Sequence, residues 1–104
     1  MKSVGADNPP GPFRDIVFRL FVAGNEPHSR RAKENLDKIC AALLMDADKI
    51  EIVDVLEDYQ AALDSDIFFT PALLVNVSGS TVTIYGDLSD GPEVVRAMGL
   101  EMDN

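Results

Sequence analysis

A strand, a long helix and a second strand follow one another in the first half of the chain, and this order constrains the fold more than any other feature. Residues 15–22 are apolar on both faces apart from Arg19, which predicts a central strand in a covered sheet. Residues 27–44 have helical spacing, and residues 50–56 form the next apolar run. Because a helix of this length separates the two strands, they are expected to pair in parallel.

The helix follows a break in the pattern, where Asn25 can cap it and Pro27 fits its first turn. Apolar side chains recur along it at i, i+4, i+7, i+8 and i+11, so they form one stripe that faces the core. The stripe consists of Ala32, Leu36, Ile39, Cys40 and Leu43. The single cysteine is therefore expected to be a core residue rather than a nucleophile.

The second half has weaker patterns. Residues 57–66 favour a short helix, residues 72–77 a strand, and residues 81–85 its hairpin partner. A loop over 86–92 precedes a last helix, whose candidate core residues are Val94, Val95, Met98 and Met102.

The resulting order, β-α-β-α-β-β-α, is that of an α/β, thioredoxin-like fold. Thr70-Pro71 stands at the start of the third strand. In that fold the proline at this position is usually cis, so Pro71 is expected to be cis, well above the general rate for X–Pro bonds.

Length and charge exclude several classes of protein. The chain has 104 residues and a net charge of −9, and residues 50–104 carry 11 acidic side chains against one basic one, Arg96. One domain is expected over 13–104, after a flexible lead-in over 1–12. Such a charge opposes binding to nucleic acid or an anionic membrane surface. No apolar run is long enough to span a bilayer, and with one cysteine we expect a reduced, cytoplasmic location.

The residues offer no catalytic set. Dithiol chemistry requires a thiol at a helix N-terminus, and residues 24–29 contain none. Glu26, His28 and Ser29 are adjacent in sequence, whereas triads are assembled from distant segments. The acidic cluster Glu57, Asp58, Asp64 and Asp66 lacks the spacing of a calcium loop and is expected to be a solvated helix face. We therefore expect no enzyme activity, no metal and no cofactor, which leaves a binding role.

Four segments in register resemble the KaiB family of clock and stress proteins. Residues 20–29 (LFVAGNEPHS) look like its first strand and loop, and residues 52–56 (IVDVL) like its second strand. Residues 70–73 (TPAL) look like its Thr-Pro segment, and residues 86–90 (GDLSD) like the loop before its last helix. The order and gaps agree over 14–102.

The resemblance implies a non-catalytic protein that docks on a KaiC-type ATPase in a circadian clock or stress-response system. It also implies a second, tetrameric fold with a rearranged C-terminal half, so a homo-oligomer, dimer or tetramer, and fold switching are possible outcomes. An alternative interpretation is a redox-inactive, thioredoxin-like sensor module of the type associated with histidine kinases. A KaiA-like adaptor is a further partner that the family suggests.

The chain departs from the family pattern at three charged positions. Glu51, Glu34 and Asp66 each stand where the family usually has a lysine. The change at Glu51 argues most strongly against an adaptor of the KaiA type, since charge reversal at an interface disfavours an unchanged partner. The candidate partner-binding residues are Asn25, Arg31 and Glu51.

Gly99 and Glu101 resemble the Gly-x-acidic pattern of the family's last helix, where changes can bias the two folds. A glycine inside a helix and an acidic residue near its C-terminus would both weaken it. We therefore expect Gly99→Ala with Glu101→Arg to favour the thioredoxin-like form.

Overall fold

Seven helices and strands make up the part of the chain that the structure, a computed structural model, describes: residues 16–43, 50–77, 79–97 and 99. The strands are β1 (Ile16–Val22), β2 (Ile50–Asp54), β3 (Ala72–Val77) and β4 (Ser80–Tyr85). The helices are α1 (Pro27–Ala42), α2 (Tyr59–Asp64) and α3 (Gly91–Ala97). The predicted order of elements is confirmed. The expectations for residues 1–12, Met98, Glu101 and Met102 lie outside the described residues.

The four strands form one mixed sheet in the order β2-β1-β3-β4. β1 pairs in parallel with β2, with Phe18 opposite Ile50 and Val22 opposite Asp54. β1 pairs antiparallel with β3, which pairs antiparallel with β4. The central place of β1 and its parallel pairing with β2 are both confirmed, and so is the cis Thr70–Pro71 bond.

One face of the sheet carries the main core, because α1 and α3 both pack against it. The four even-numbered side chains of β1, from Ile16 to Val22, are almost fully buried there. Every member of the predicted α1 stripe is buried against them, Cys40 included. Val94 and Val95 of α3 complete the cluster, which confirms both as core residues.

The opposite face is only partly covered, because α2 has only six residues. Phe21, Val53, Ala62, Ile67 and Ala72 form a second, smaller core under that helix. Beyond it, Val17 is 50% exposed at a shallow groove of about 440 Å³. The expectation that β1 is covered on both faces is therefore wrong at its first residues.

Two local expectations are also wrong. Glu26 rather than Asn25 caps α1, because its longer side chain reaches the backbone N–H groups of both His28 and Ser29. Gly99 lies beyond the end of α3 with a φ of +80°, so it is not a residue of the helix interior. Its N–H donates to the carbonyl of Arg96 at 3.0 Å, which closes the last turn of the helix.

Candidate interaction site

The loops of one end of the sheet form the candidate site. The parallel strands β1 and β2 both end there, and the start of β3 joins them because Ala72 lies opposite Phe21. The end of β4 is also there, since Tyr85 lies opposite Ala72. Four connections therefore meet at this end of the sheet: residues 23–26, 55–58, 65–71 and 86–90.

Asp54, the last residue of β2, holds the first loop in place. Its Oδ1 accepts hydrogen bonds from the N–H groups of Gly24 and Leu56, both at 3.0 Å. Gly24 has a φ of +57°, and a Cβ there would stand 3.1 Å from Leu56 Cδ1. The loop thus requires glycine at this position. The next residue, Asn25, is exposed at the loop's tip, where a partner can reach it.

Glu26 fixes the first turn of α1. Its Oε1 accepts from the Ser29 N–H at 3.1 Å and its Oε2 from the His28 N–H at 3.2 Å, and these bonds, led by the one from His28, hold the pKa of Glu26 below its usual range. The exposed His28 ring also contacts Oε2, 3.1 Å from Nδ1. Ser29 is buried, and its Oγ accepts from the Ala23 N–H. Glu26 is thus the capping group of α1, His28 contacts its carboxylate, and the buried Ser29 oxygen is turned toward the backbone of the preceding loop.

A second set of contacts attaches the loop over 86–90 to α1. Arg31 Nε donates to Asp87 Oδ2 at 3.3 Å, and Asn35 Nδ2 donates to the Asp87 carbonyl at 2.8 Å. Hydrogen bonding from Ser89, and then from Arg31, lowers the pKa of Asp87. Leu88 is buried in the main core with a φ of +64°. Arg31 is therefore a positioning group for this loop as well as a half-exposed cation.

Glu51 lies apart from the other two candidates. It is the second residue of the edge strand β2, with its side chain beside Arg19 on the face that α2 partly covers. Arg19 Nε donates to Glu51 Oε1 at 3.1 Å, and the Arg19 guanidinium stands 5.2 Å from the Phe21 ring centre. The structure thus brings Asn25 and Arg31 to the same end of the sheet and leaves Glu51 on a different surface.

Cys40 lies in the core and not at the helix N-terminus where a redox-active thiol would stand. It is 1% exposed within the α1–sheet core. Burial, and then the charge of Asp37, raise the pKa of its thiol to about 11. A thiolate is the reactive form of cysteine, so this environment makes Cys40 inert at neutral pH.

The described residues hold no group of three or more His, Cys, Asp or Glu side chains arranged to bind a metal ion. Within the same part of the chain, no helix is both long and apolar enough to cross a bilayer.

Sequence reasoning missed one prominent feature of this end of the molecule. Phe68 and Phe69, just before the cis-proline, are 70% and 72% exposed. Phe69 meets Tyr85 of β4 edge to face, with ring centres 6.0 Å apart. Two adjacent phenylalanines between an acidic segment and Thr70 were the available signal.

Solved structures define the class of fold. Mitochondrial thioredoxin 3 from Saccharomyces cerevisiae has a TM-score of 0.66 at 16% identity, covering 82% of this chain and 77% of that one. The N-terminal domain of Synechococcus elongatus SasA has a TM-score of 0.64 at 22% identity, covering 88% and 90%. The protein is thus a thioredoxin-like domain with no thiol at the start of its first helix.

Sequence comparison identifies the family. The KaiB domain model matches residues 19–97. Circadian clock protein KaiB3 of Synechocystis is 37% identical over 87 residues, covering 84% of this chain and 83% of that protein. Circadian clock oscillator protein KaiB of Synechococcus elongatus is 33% identical over 89 residues, covering 86% and 87%. The chain belongs to the KaiB family, and these relatives are named as circadian clock proteins.

Proposed function

We propose that this protein is a non-catalytic, cytoplasmic regulator that docks on a KaiC-type ATPase in a circadian clock or stress-response system. The observation that carries the proposal is the KaiB domain match over residues 19–97, which spans all four strands of the sheet except the first residues of β1. The buried Cys40 and the thiol-free first turn of α1 support a binding role. The relatives named KaiB3 and KaiB, covered over 83% and 87% of their own length, favour this function over a sensor module of the histidine-kinase type.

Asn25 and Arg31 are the partner-facing residues proposed at the loop end of the sheet. Asn25 is exposed on a loop that Asp54 holds rigid, so little ordering is required when it is bound. Arg31 contributes charge and also positions the loop over 86–90 through Asp87. Glu51 belongs to a second proposed contact surface at the edge strand, where its negative charge disfavours an adaptor that expects lysine.

The thioredoxin-like form is the proposed docking form, and a tetramer with a rearranged C-terminal half is the proposed alternative state. Support comes from the second half of the chain, whose elements are short: α2 has six residues and α3 seven. Short helices contribute few contacts, so competing packings of this half differ little in free energy. Oligomer mass together with two-dimensional NMR of the isolated protein tests this part.

Co-purification with the KaiC-type ATPase from the same genome, with and without ATP, tests the docking role. The proposal expects a stable complex in at least one nucleotide condition. Arg31→Gln should weaken it by removing the cation and loosening the 86–90 loop. Arg30→Gln is the matched control, because Arg30 is an exposed neighbour on the same helix. Failure of the wild-type chain to bind in either condition refutes the docking role.

A further inference from the structure

An exposed apolar patch adjoins the loop end of the sheet, on the α2 side. Four large side chains there are strongly exposed: Tyr59 68%, Leu63 51%, Phe68 70% and Phe69 72%. Tyr85 of β4 joins them through its edge-to-face contact with Phe69, and it is 48% exposed. Scattered exposed apolar side chains are ordinary, whereas a contiguous patch marks an interaction site.

The local backbone holds this patch in one place. The Asp66 N–H donates to the Leu63 carbonyl at 3.1 Å, and the Ile67 N–H donates to the Ala62 carbonyl at 2.8 Å. Ile67 is buried beneath α2, so the next residue, Phe68, leaves the core directly beside the end of the helix. The aromatic side chains are therefore presented by anchored backbone, which lowers the ordering cost of binding.

Four acidic side chains adjoin the patch along α2. Glu57, Asp58, Asp64 and Asp66 are all exposed on or beside α2. None of the ion pairs found among the described residues involves these four carboxylates. Between residues 50 and 104 the one basic side chain is Arg96, on α3, which packs against the opposite face of the sheet. We call the five apolar side chains and four carboxylates together the acidic aromatic surface.

The negative charge of the acidic aromatic surface restricts the kinds of partner that can bind it. A second copy of this chain, placed symmetrically on the surface, would set carboxylates against carboxylates. Nucleic acid and anionic membranes are repelled for the same reason. Among the described residues, the one cation near the end of α2 on this face is Arg19, which donates to Ser65 Oγ at 3.5 Å and is paired with Glu51, so the four exposed carboxylates set the sign of the charge beside the aromatic side chains. Aromatic anchors beside such carboxylates fit a protein segment with apolar side chains flanked by the opposite charge.

We infer that the acidic aromatic surface is the docking site for a partner segment that presents apolar side chains flanked by lysine or arginine. The inference deepens the proposed function and rests on it for the partner, the KaiC-type ATPase. The apolar centre supplies the salt-insensitive part of the affinity, and the carboxylates supply the salt-sensitive part and the selection of a basic partner.

Two double variants separate these contributions in a titration of the ATPase from the same genome. Phe68→Ser with Phe69→Ser should weaken binding about tenfold or more at every salt concentration, because aromatic anchors dominate interface energy. Asp64→Asn with Asp66→Asn should weaken binding about threefold to tenfold at low salt and less at high salt. Asparagine tolerates the φ of +58° at position 66, so the second variant keeps the backbone.

Control variants match each change. Asp37→Asn with Glu93→Gln removes the same charge from exposed positions in the α1 and α3 layer, and Val17→Thr changes an exposed apolar residue at the other end of the α2-side face. Neither should alter affinity more than twofold.

Hydrogen exchange of the complex locates the contact independently. The inference expects new protection at residues 57–69 and at Tyr85. If wild type binds but new protection is confined to α1 and β2, the inference is overturned and the docking role stands. The same holds if both double variants bind with unchanged affinity. No binding by wild type refutes the docking role itself.

Discussion

Gly99→Ala should destabilise the thioredoxin-like form, opposite to the effect expected of a glycine inside a helix. Gly99 follows α3 with a φ of +80°, a conformation that alanine rarely adopts. Among the residues that the structure describes, no atom outside the local backbone lies within 4 Å of a Cβ built there, so the backbone preference sets the cost. That preference is about 1–2 kcal/mol, which corresponds to roughly a fivefold to thirtyfold change in the folded-to-unfolded ratio.

Urea denaturation of the isolated protein measures this change. Gly79→Ala is the matched control, because Gly79 has a φ of +91° at the β3–β4 turn and no atom of the described part of the chain lies within 4 Å of its Cβ position. Both alanine variants should lose about 1–2 kcal/mol, and Gly99→Asn should lose less because asparagine adopts this conformation more readily. If Gly99→Ala is as stable as wild type or more stable, the glycine does not serve as a left-handed residue after the helix and the reasoning is refuted.

The remaining predictions concern charge, redox chemistry and pH. Glu51→Lys replaces the carboxylate that a basic partner site would contact with a cation beside Arg19, so binding to the native ATPase assembly should weaken at low salt. An unchanged affinity removes Glu51 from the interface. Insulin disulfides should not be reduced by the protein, and turnover that disappears in Cys40→Ala would contradict the inert thiol. Because the folded-state pKa of Glu26 is lowered, its contribution to stability is present above its ordinary pKa of 4.5 and is lost as pH falls below it. Glu26→Gln should therefore flatten the acid limb of the stability curve measured by thermal unfolding.

Strong local patterns made the first half of the fold predictable. The α1 stripe from Ala32 to Leu43 has one clear period, and all of it is buried. The apolar runs on either side of it gave the parallel pair, since a long helix between two strands leaves few other topologies. The cis Pro71 followed from the order of elements, not from the residue itself.

Other features depend on geometry that a sequence pattern does not contain. Asn25 and Glu26 are both able to cap, and the choice between them depends on which carboxylate or amide reaches the N–H groups of the first turn. The periodic pattern of the last helix places Gly99 inside it, because the position of a helix end is the least certain part of such a pattern. The exposure of Phe68 and Phe69 depends on how much of the sheet α2 covers, which its six residues limit.

The candidate site was only partly accessible from sequence for the same reason. Asn25 and Arg31 lie at one end of the sheet, and the Arg31–Asp87 contact there joins residues 56 positions apart. Glu51 lies away from that end of the sheet, on the face that α2 partly covers. Its ion-pair partner Arg19 is 32 positions away in sequence. Such long-range pairs arise from the strand order and cannot be read from local spacing.

An equilibrium titration of the fluorescently labelled chain with the KaiC-type ATPase from the same genome measures docking itself. Saturable binding is expected in at least one nucleotide state, with no chemical change to either protein. Absence of binding at about 100 μM ATPase with ATP and with ADP would contradict the docking role, since affinities weaker than this supply less than about 5.5 kcal/mol.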